Sequence, residues 1–224
     1  MAKNKLRRFK EMEELPNVIQ PNNVYPPEND FYLKGKWKSD FFKNNNKIIL
    51  ELGCGKGEYS VELAKKYPNN NYIGIDIKGA RIWVGAKSSH ELSMTNVAFL
   101  RIKIDFIDHF FDTNEVDEIW LTFSDPQPEK PNKRLTSPFF REKYKKILKK
   151  EGMIHLKTDS DLLYDYTLEE IEKNQIKLLE NISNIEHITN SSNDTLKILN
   201  EVTTHYEKLF SSKGMTIKYL KFSL

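Results

Sequence analysis

The feature that most constrains the fold is the segment 48–57, which reads IILELGCGKG. Its apolar first half has the length and the β-branched residues of a buried strand. Glycine then stands at three alternate positions, Gly53, Gly55 and Gly57, and helical spacing of apolar residues follows. A strand, a glycine turn and a helix allow backbone N–H groups to approach a ligand closely. The segment therefore predicts a ligand-binding turn, although a glycine triplet alone is equally compatible with a plain tight turn.

The spacing of these glycines argues against a dinucleotide site. A G-x-G-x-x-G pattern would require glycine at position 58, where the chain has Glu58. The pattern is instead E-x-G-x-G-x-G, with Glu51 still inside the predicted strand. A carboxylate at this point would repel a pyrophosphate, and it suits a ligand with a positively charged end.

Two further acids close predicted strands. Asp76 ends the short apolar segment 72–76, and Asp105 follows the alternating segment 97–104. The carboxyl ends of the strands of an open α/β sheet meet at one edge, where ligands bind, so these acids and Glu51 are expected to line one cleft. An acid at the tip of the second strand can accept hydrogen bonds from a ribose, and an acid at the tip of the third strand, Asp105, can accept one from an adenine amino group. S-adenosylmethionine fits this set, because it has a ribose, no phosphate and a positively charged tail.

The composition describes one domain, or one domain with an arm. The chain has 224 residues, 38% of them hydrophobic, and a mean hydropathy of −0.63. No stretch approaches the roughly 18 apolar residues of a membrane span, and the N-terminus lacks the apolar core of a signal peptide. The single cysteine, Cys54, permits no internal disulfide and suits the cytoplasm. The five histidines show no metal-ligand spacing, so we predict neither a metal site nor membrane attachment.

Basic residues are clustered at the N-terminus. The first ten residues contain five lysines or arginines and no acid. Such a run is typical of a solvated tail, and the alternative is an arm that contacts phosphates. Residues 15–30 are rich in proline and asparagine, which predicts extended or irregular structure. We therefore divide the chain into an N-terminal arm, residues 1–33, and a catalytic domain, residues 34–224.

The fourth predicted strand, 118–123, runs directly into the sequence SDPQP at 124–128. Prolines at alternate positions stiffen this loop, which would face the methyl group of the cofactor; a plain proline turn is the alternative. Basic residues follow in the loop (Lys130, Lys133 and Arg134) and on the helix predicted at 139–150. Positive charge beside the reactive edge indicates a polyanionic substrate.

The chain resembles the bacterial tRNA (guanine-N7-)-methyltransferases. The resemblance rests on ELGCGKG at 51–57, YIGID at 72–76, FSDPQP at 123–128, KRLT at 133–136, IHLKTD at 154–159 and THYEKLF at 204–210. It implies a Rossmann-like class I methyltransferase of the α/β class, with a mostly parallel seven-stranded sheet and helices on both faces. It also implies methyl transfer from S-adenosylmethionine to N7 of a guanine in tRNA, at position 46 of the variable loop. The chain departs from the family at Gln127, where tryptophan is common.

The resemblance also assigns roles to individual residues. The cofactor site would comprise the glycine loop and four acids: Glu51, Gly53, Gly55, Gly57, Asp76, Asp105 and Asp125. Asp125 would lie at the junction of cofactor and guanine, as the catalytic residue. The target guanine would be contacted by Asp159, Thr204 and Glu207, and the tRNA backbone by Lys130, Lys133 and Arg134.

The chemistry is consistent with this assignment. Guanine N7 carries an in-plane lone pair and no proton, so it can attack a sulfonium methyl without a general base. Asp125 is therefore expected to act by position and charge. Two alternatives remain: a methyltransferase acting on an exocyclic amine or a small molecule, and an RNA-binding protein without the cofactor. The sequence is compatible with a monomer or a homodimer.

Overall fold

The computed structural model describes residues 2–21, 30–187, 194–202 and 215–224. Their helices are α1 (Ala2–Glu14), α2 (Glu58–Lys66), α3 (Gly79–Glu91), α4 (Pro138–Ile147), α5 (Asp161–Lys173) and α6 (Asp194–Glu201). Their strands are β1 (Val18–Ile19), β2 (Lys47–Leu52), β3 (Asn70–Ile75), β4 (Val97–Leu100), β5 (Val116–Thr122), β6 (Leu148–Thr158), β7 (Lys177–Ile182) and β8 (Lys218–Ser223). Short helical turns lie at Trp37–Phe42, Ile104–His109, Pro131–Lys133 and Ile185–His187.

One sheet joins these eight strands in the order β1-β4-β3-β2-β5-β6-β8-β7. β8 is antiparallel to both of its neighbours, and the other pairs are parallel. β2 lies at the centre, with Leu50 opposite Ile73 of β3 and Ile119 of β5. The predicted mostly parallel α/β sheet is confirmed, but the described sheet has eight strands instead of seven. The additional strand, β1, has two residues, too few to give an alternating pattern.

Alternate residues of the central strands enter two separate cores. Leu50 is fully buried on one face, against side chains from α4 and α5 such as Tyr144 and Leu163. Ile49 is buried on the other face, where α2, α3 and α6 contribute Ala64, Ile82 and Leu199. Burial on both faces explains why the strand reads as a continuous apolar run. The expected helices on both faces of the sheet are therefore present.

Two glycines allow close packing around the turn that follows β2. Gly57 precedes α2 with φ 70°, and a Cβ there would lie 2.3 Å from Phe99 Cε1 of β4. Gly85 of α3 faces the same turn, where a Cβ would lie 2.6 Å from the carbonyl oxygen of Lys56. Because contacts this short do not occur for real side chains, α3 can support the turn only while position 85 is glycine.

The described part of the N-terminal segment packs on the domain. The Trp83 indole of α3 donates to Glu11 Oε2 of α1 at 2.8 Å, and the buried Asn17 amide donates to the carbonyl of Ala86 at 3.0 Å. β1 then pairs with β4 at the edge of the sheet. The sequence predicts a solvated tail or an arm that contacts phosphates here, and neither prediction includes this packed helix. The division of the chain at residue 33 stays a prediction.

None of the helices in the described residues is long and apolar enough to span a membrane.

Candidate active site

A cavity of about 580 Å³ opens at the carboxyl edge of the sheet. A second space of about 380 Å³ adjoins it, and both spaces are lined by Gly53, Asp76, Gln127 and Lys133. Predicted site residues that line the larger space are Glu51, Gly53, Gly55, Asp76, Asp125, Lys133 and Asp159. Asp105 and Lys130 line the smaller one. The structure therefore brings together most residues that the sequence assigned to the site.

The remaining predicted site residues lie elsewhere. Gly57 is in the turn behind the cavity, packed on Phe99. Thr204 and Glu207 fall outside the described residues. Arg134 is buried beneath the SDPQP loop, with 6% of its surface exposed.

The Glu51 side chain is held at the end of β2 by three hydrogen bonds. Its Oε2 accepts from the backbone N–H of Ser60 at 2.9 Å and from the Ser60 hydroxyl at 2.5 Å. Its Oε1 accepts from the Thr122 hydroxyl at 2.6 Å. Burial nevertheless dominates and raises the pKa of Glu51 to about 7, and the hydrogen bonds from Ser60 and Thr122 lower the pKa only in part. A positively charged group in the cavity would therefore stabilise this carboxylate.

Asp76 organises the turn through backbone hydrogen bonds. Its Oδ2 accepts from the Gly55 N–H at 3.0 Å, and its Oδ1 accepts from the Lys78 N–H at 2.8 Å. The half-buried carboxylate therefore connects the glycine turn to the segment that leads into α3.

Asp105 lies in the first turn of the short helix Ile104–His109 that follows β4, and it is ion-paired. Its Oδ1 lies 2.7 Å from the Nζ of Lys133, at the junction of the two spaces. The Asp105 and Lys133 side chains are 33% and 56% exposed. One predicted cofactor ligand and one predicted tRNA contact therefore bind each other.

The SDPQP loop places Asp125 at the cavity. Asp125 is exposed, and its Oδ1 accepts from the backbone N–H of Gln127 at 3.0 Å. Gln127 has a φ of 44°, in the left-handed region that residues with a Cβ rarely adopt. The hydrogen bond from the Gln127 N–H to Asp125 therefore defines the turn of this loop. Gln127 lines both spaces.

The lysines of α4 make a smaller contribution to the site than the sequence suggested. Lys143 and Lys146 both bind Asp108, at 2.9 and 2.8 Å. Lys149, which lies beyond the end of α4 in β6, binds Asp117 at 2.5 Å. These acids come from segments more than thirty residues away in the chain, which is why a helical pattern could not reveal the pairing. Much of this positive charge is locally neutralised.

Sequence reasoning missed several residues that shape the cavity. Ser60 and Thr122 hold Glu51, and neither belongs to a pattern that marks such a role. Lys56, Lys78 and Arg81 add positive charge to the lining. Among the described residues, no group of His, Cys, Asp and Glu side chains could hold a metal ion.

A family model described as "Putative methyltransferase" matches residues 45–220. A tRNA (guanine-N(7)-)-methyltransferase from Bacteroides fragilis is 47% identical over 226 residues, which cover 100% of this chain and 87% of the relative. The chain belongs to the tRNA (guanine-N7-)-methyltransferase family. A second methyltransferase of this name, from Christiangramia forsetii, is 47% identical over 225 residues, covering 100% of this chain and 99% of the relative. The predicted family and enzyme class are confirmed.

Solved structures confirm the class I methyltransferase fold. A 16S rRNA methyltransferase, KamB, superposes with a TM-score of 0.59 at 11% identity, covering 80% of this chain and 88% of KamB. A 30S ribosomal methyltransferase from an uncultured bacterium gives a TM-score of 0.56 at 19% identity, covering 81% and 89% of the two chains. At these identities the likeness concerns the fold alone.

The cavity of this methyltransferase fits S-adenosylmethionine, the predicted cofactor. A Cβ at Gly55 would meet no atom within 4 Å, so the turn leaves open a cradle that a side chain would fill. The buried Glu51 is favoured by a positive partner, and a sulfonium methionine provides one. The volume of about 580 Å³ is in the range of small-molecule sites.

Proposed function

We propose that this protein transfers a methyl group from S-adenosylmethionine to N7 of a guanine in tRNA. The observation that carries the proposal is the convergence of Glu51, Asp76, Asp125 and Asp159 on one cavity in a chain of this family. Glu51 and the glycine turn would hold the charged tail of the cofactor, and Asp76 its ribose. When bound, the cofactor supplies an electrophilic methyl group on a sulfonium sulfur.

Two acids suit the positioning of a guanine, one in the SDPQP loop and one directly after β6. The N1–H and the exocyclic amino group of guanine are donors that a carboxylate can accept. Asp159 follows β6 and lines the same cavity as Asp125. Thr204 and Glu207 complete the proposed guanine site on the basis of the family resemblance. We assign the target to position 46 of the variable loop on the same basis.

Catalysis in this proposal consists of alignment, charge and exclusion of water. No proton leaves N7, so no residue has to act as a base. Positive charge develops on the guanine as the new N–C bond forms, and the Asp125 carboxylate would stabilise it. Holding N7 in line with the methyl group supplies the remaining rate enhancement.

Lys130 and Lys133 are the proposed contacts to the tRNA backbone. Both are exposed beside the cavity, where phosphates of a docked tRNA can reach them. The free cysteine, Cys54, is buried, which suits a reducing compartment. We accordingly place the protein in the cytoplasm.

The test is to incubate the protein with unmodified tRNA and radiolabelled S-adenosylmethionine, and to identify the methylated nucleoside after digestion. We expect 7-methylguanosine, mapped to the variable loop by alkaline aniline cleavage. The matched control is Asp125→Ala, which should bind the cofactor but form the nucleoside roughly 100-fold more slowly. Label in an exocyclic amine would favour the alternative methyltransferase activity, and absence of label would contradict tRNA as the substrate.

A further inference from the structure

Arg134 differs in its environment from the neighbouring Lys133. Only 6% of Arg134 is exposed, whereas the Lys133 side chain is 56% exposed. The Arg134 guanidinium lies 4.3 Å from the centre of the Tyr166 ring of α5. Among the described residues, no carboxylate lies within ion-pair distance of it. A buried cation in this position requires hydrogen-bond acceptors from another source.

The acceptors are backbone carbonyls of the SDPQP loop. Arg134 Nε donates to the carbonyl oxygen of Pro126 at 2.9 Å, and Nη2 lies 3.5 Å from the carbonyl oxygen of Pro128. The planar guanidinium presents several donors in fixed directions, so one side chain can hold two carbonyls while its face stacks on an aromatic ring. The two carbonyls belong to the residues on either side of Gln127.

The conformation that these contacts hold is an unfavourable one. Gln127 has a φ of 44°, and residues with a Cβ keep such a conformation only where the surroundings fix it. On the cavity side, Asp125 accepts from the Gln127 N–H at 3.0 Å. On the buried side, Arg134 holds the flanking carbonyls. The turn that carries Asp125 is therefore fixed from both sides.

We propose that Arg134 is a positioning residue that fixes Asp125 and Gln127 against the cofactor and the guanine, and that it does not bind tRNA phosphate; the inference rests on the proposed function. A phosphate could reach the guanidinium only by displacing the loop carbonyls or the Tyr166 ring. The adjacent Lys133 is exposed, and its ion pair with Asp105 lies at the surface, where a phosphate could replace the carboxylate. Two consecutive basic residues thus have different tasks.

The first measurement is hydrogen exchange of the backbone amides at 123–130, which needs neither cofactor nor tRNA. We expect the amides of this segment to exchange at least roughly tenfold faster in Arg134→Met and Arg134→Lys. Methionine has no donor for the two carbonyls, and a lysine ammonium cannot replace a planar guanidinium that stacks on Tyr166 and donates to both carbonyls. The matched control Lys133→Met should exchange like the wild type. Tyr166→Leu, which changes no charge, should show an intermediate increase and serves if Arg134→Met does not fold. Unchanged exchange in Arg134→Lys and Tyr166→Leu would overturn the proposal.

The second measurement separates positioning from phosphate contact. Arg134→Lys should lower kcat by about 10- to 100-fold, since small misplacements of aligned groups have effects of this size. The salt dependence of its tRNA affinity should equal that of the wild type. Lys133→Met should reduce that slope by roughly 0.7–0.9, the value for one lost phosphate contact.

A reduced slope in Arg134→Met, with wild-type kcat in Arg134→Lys, would assign Arg134 to the tRNA backbone instead. A wild type that methylates another nucleoside would contradict the proposed function, whereas the exchange data would still decide the role of Arg134.

Discussion

Glu51 and Ser60 are joined by two hydrogen bonds that cross the glycine turn. The Ser60 backbone N–H and hydroxyl both donate to Glu51 Oε2, at 2.9 and 2.5 Å. Ser60 lies in the first turn of α2, where backbone N–H groups have no acceptor within the helix. The Glu51 carboxylate accepts a hydrogen bond from one of these donors. It also lies at the positive end of the helix dipole, which stabilises a negative charge. The turn is therefore held at both ends, by Glu51 on the side of β2 and by Asp76 on the side of β3.

The raised pKa of Glu51 predicts how stability depends on pH. Its pKa rises from the usual 4.5 to about 7 in the folded protein, so the folded state binds the proton more tightly than the unfolded state. The contribution of Glu51 to stability is therefore greatest below pH 4.5 and decreases as the pH rises to about 7. This loss amounts to roughly 3 kcal/mol at most.

Glu51→Gln removes this titration. The wild type loses stability as the pH rises from 5 to 8, and the variant does not. The free energy of unfolding of the variant relative to the wild type should therefore increase by up to roughly 3 kcal/mol over this range. Urea unfolding of both proteins at the two pH values measures the difference. An equal stability difference between the variant and the wild type at pH 5 and at pH 8 would contradict the raised pKa of Glu51.

The same carboxyl group predicts proton release when the cofactor binds. A positively charged cofactor tail next to Glu51 would lower its pKa, so binding at pH 6.5 should expel a fraction of a proton. Calorimetry of S-adenosylmethionine binding in two buffers of different ionisation enthalpy measures that fraction. Glu51→Gln is the control and should release none at this position. Equal proton release by the variant and the wild type would assign the proton to another group.

Gly85→Ala tests whether α3 supports the glycine turn. The new Cβ would lie 2.6 Å from the Lys56 carbonyl oxygen and 3.2 Å from Gly57 Cα, so the turn has to move. We expect a loss of about 1–3 kcal/mol of stability, in the range of overpacked sites, together with weaker cofactor binding. Ala86→Gly, in the same helix turn, is a control that destabilises α3 by removing a buried methyl group, without adding a clash with the glycine turn. Wild-type cofactor affinity in Gly85→Ala would contradict the support of the turn by α3.

Residues at strand ends could be predicted from the sequence because β2, β3 and β5 each end in a recognisable change of pattern. Glu51, Asp76 and Asp125 consequently lie at one cavity, as expected. The separate environments of Lys133 and Arg134 could not be predicted, because a short helical turn at Pro131–Lys133 sets the two side-chain directions. The packing of α1 was also missed, since the Glu11–Trp83 contact joins residues 72 positions apart. Charge patterns alone do not reveal such distant partners.

Asp125→Ala separates binding from turnover. Asp125 is exposed at the cavity, and its one described hydrogen bond is to the Gln127 N–H. The variant should therefore keep its cofactor affinity within about threefold, whereas kcat for tRNA falls by roughly 100-fold, since an electrostatic contact in the transition state is lost. Calorimetry and single-turnover methylation measure the two effects. Asp125→Asn, which retains the acceptor for Gln127, controls for a change in the loop. Full activity in either variant would contradict a role for Asp125 in methyl transfer.

Asp105 lines the smaller space, and Asp105→Asn tests whether its carboxylate accepts a hydrogen bond from the adenine amino group of S-adenosylmethionine. A hydrogen bond to a charged acceptor contributes about 1.5–3 kcal/mol, so the variant should bind S-adenosylmethionine roughly 10- to 100-fold more weakly. The protein itself should lose less than about 1 kcal/mol of stability, because its 2.7 Å ion pair with Lys133 is partly exposed. Lys133→Met is the matched control: it breaks the same ion pair and leaves the Asp105 carboxylate in place. Its cofactor affinity should stay within about threefold of the wild type. If both variants lose affinity equally, the intact ion pair shapes the cofactor site, and Asp105 is not the acceptor for adenine.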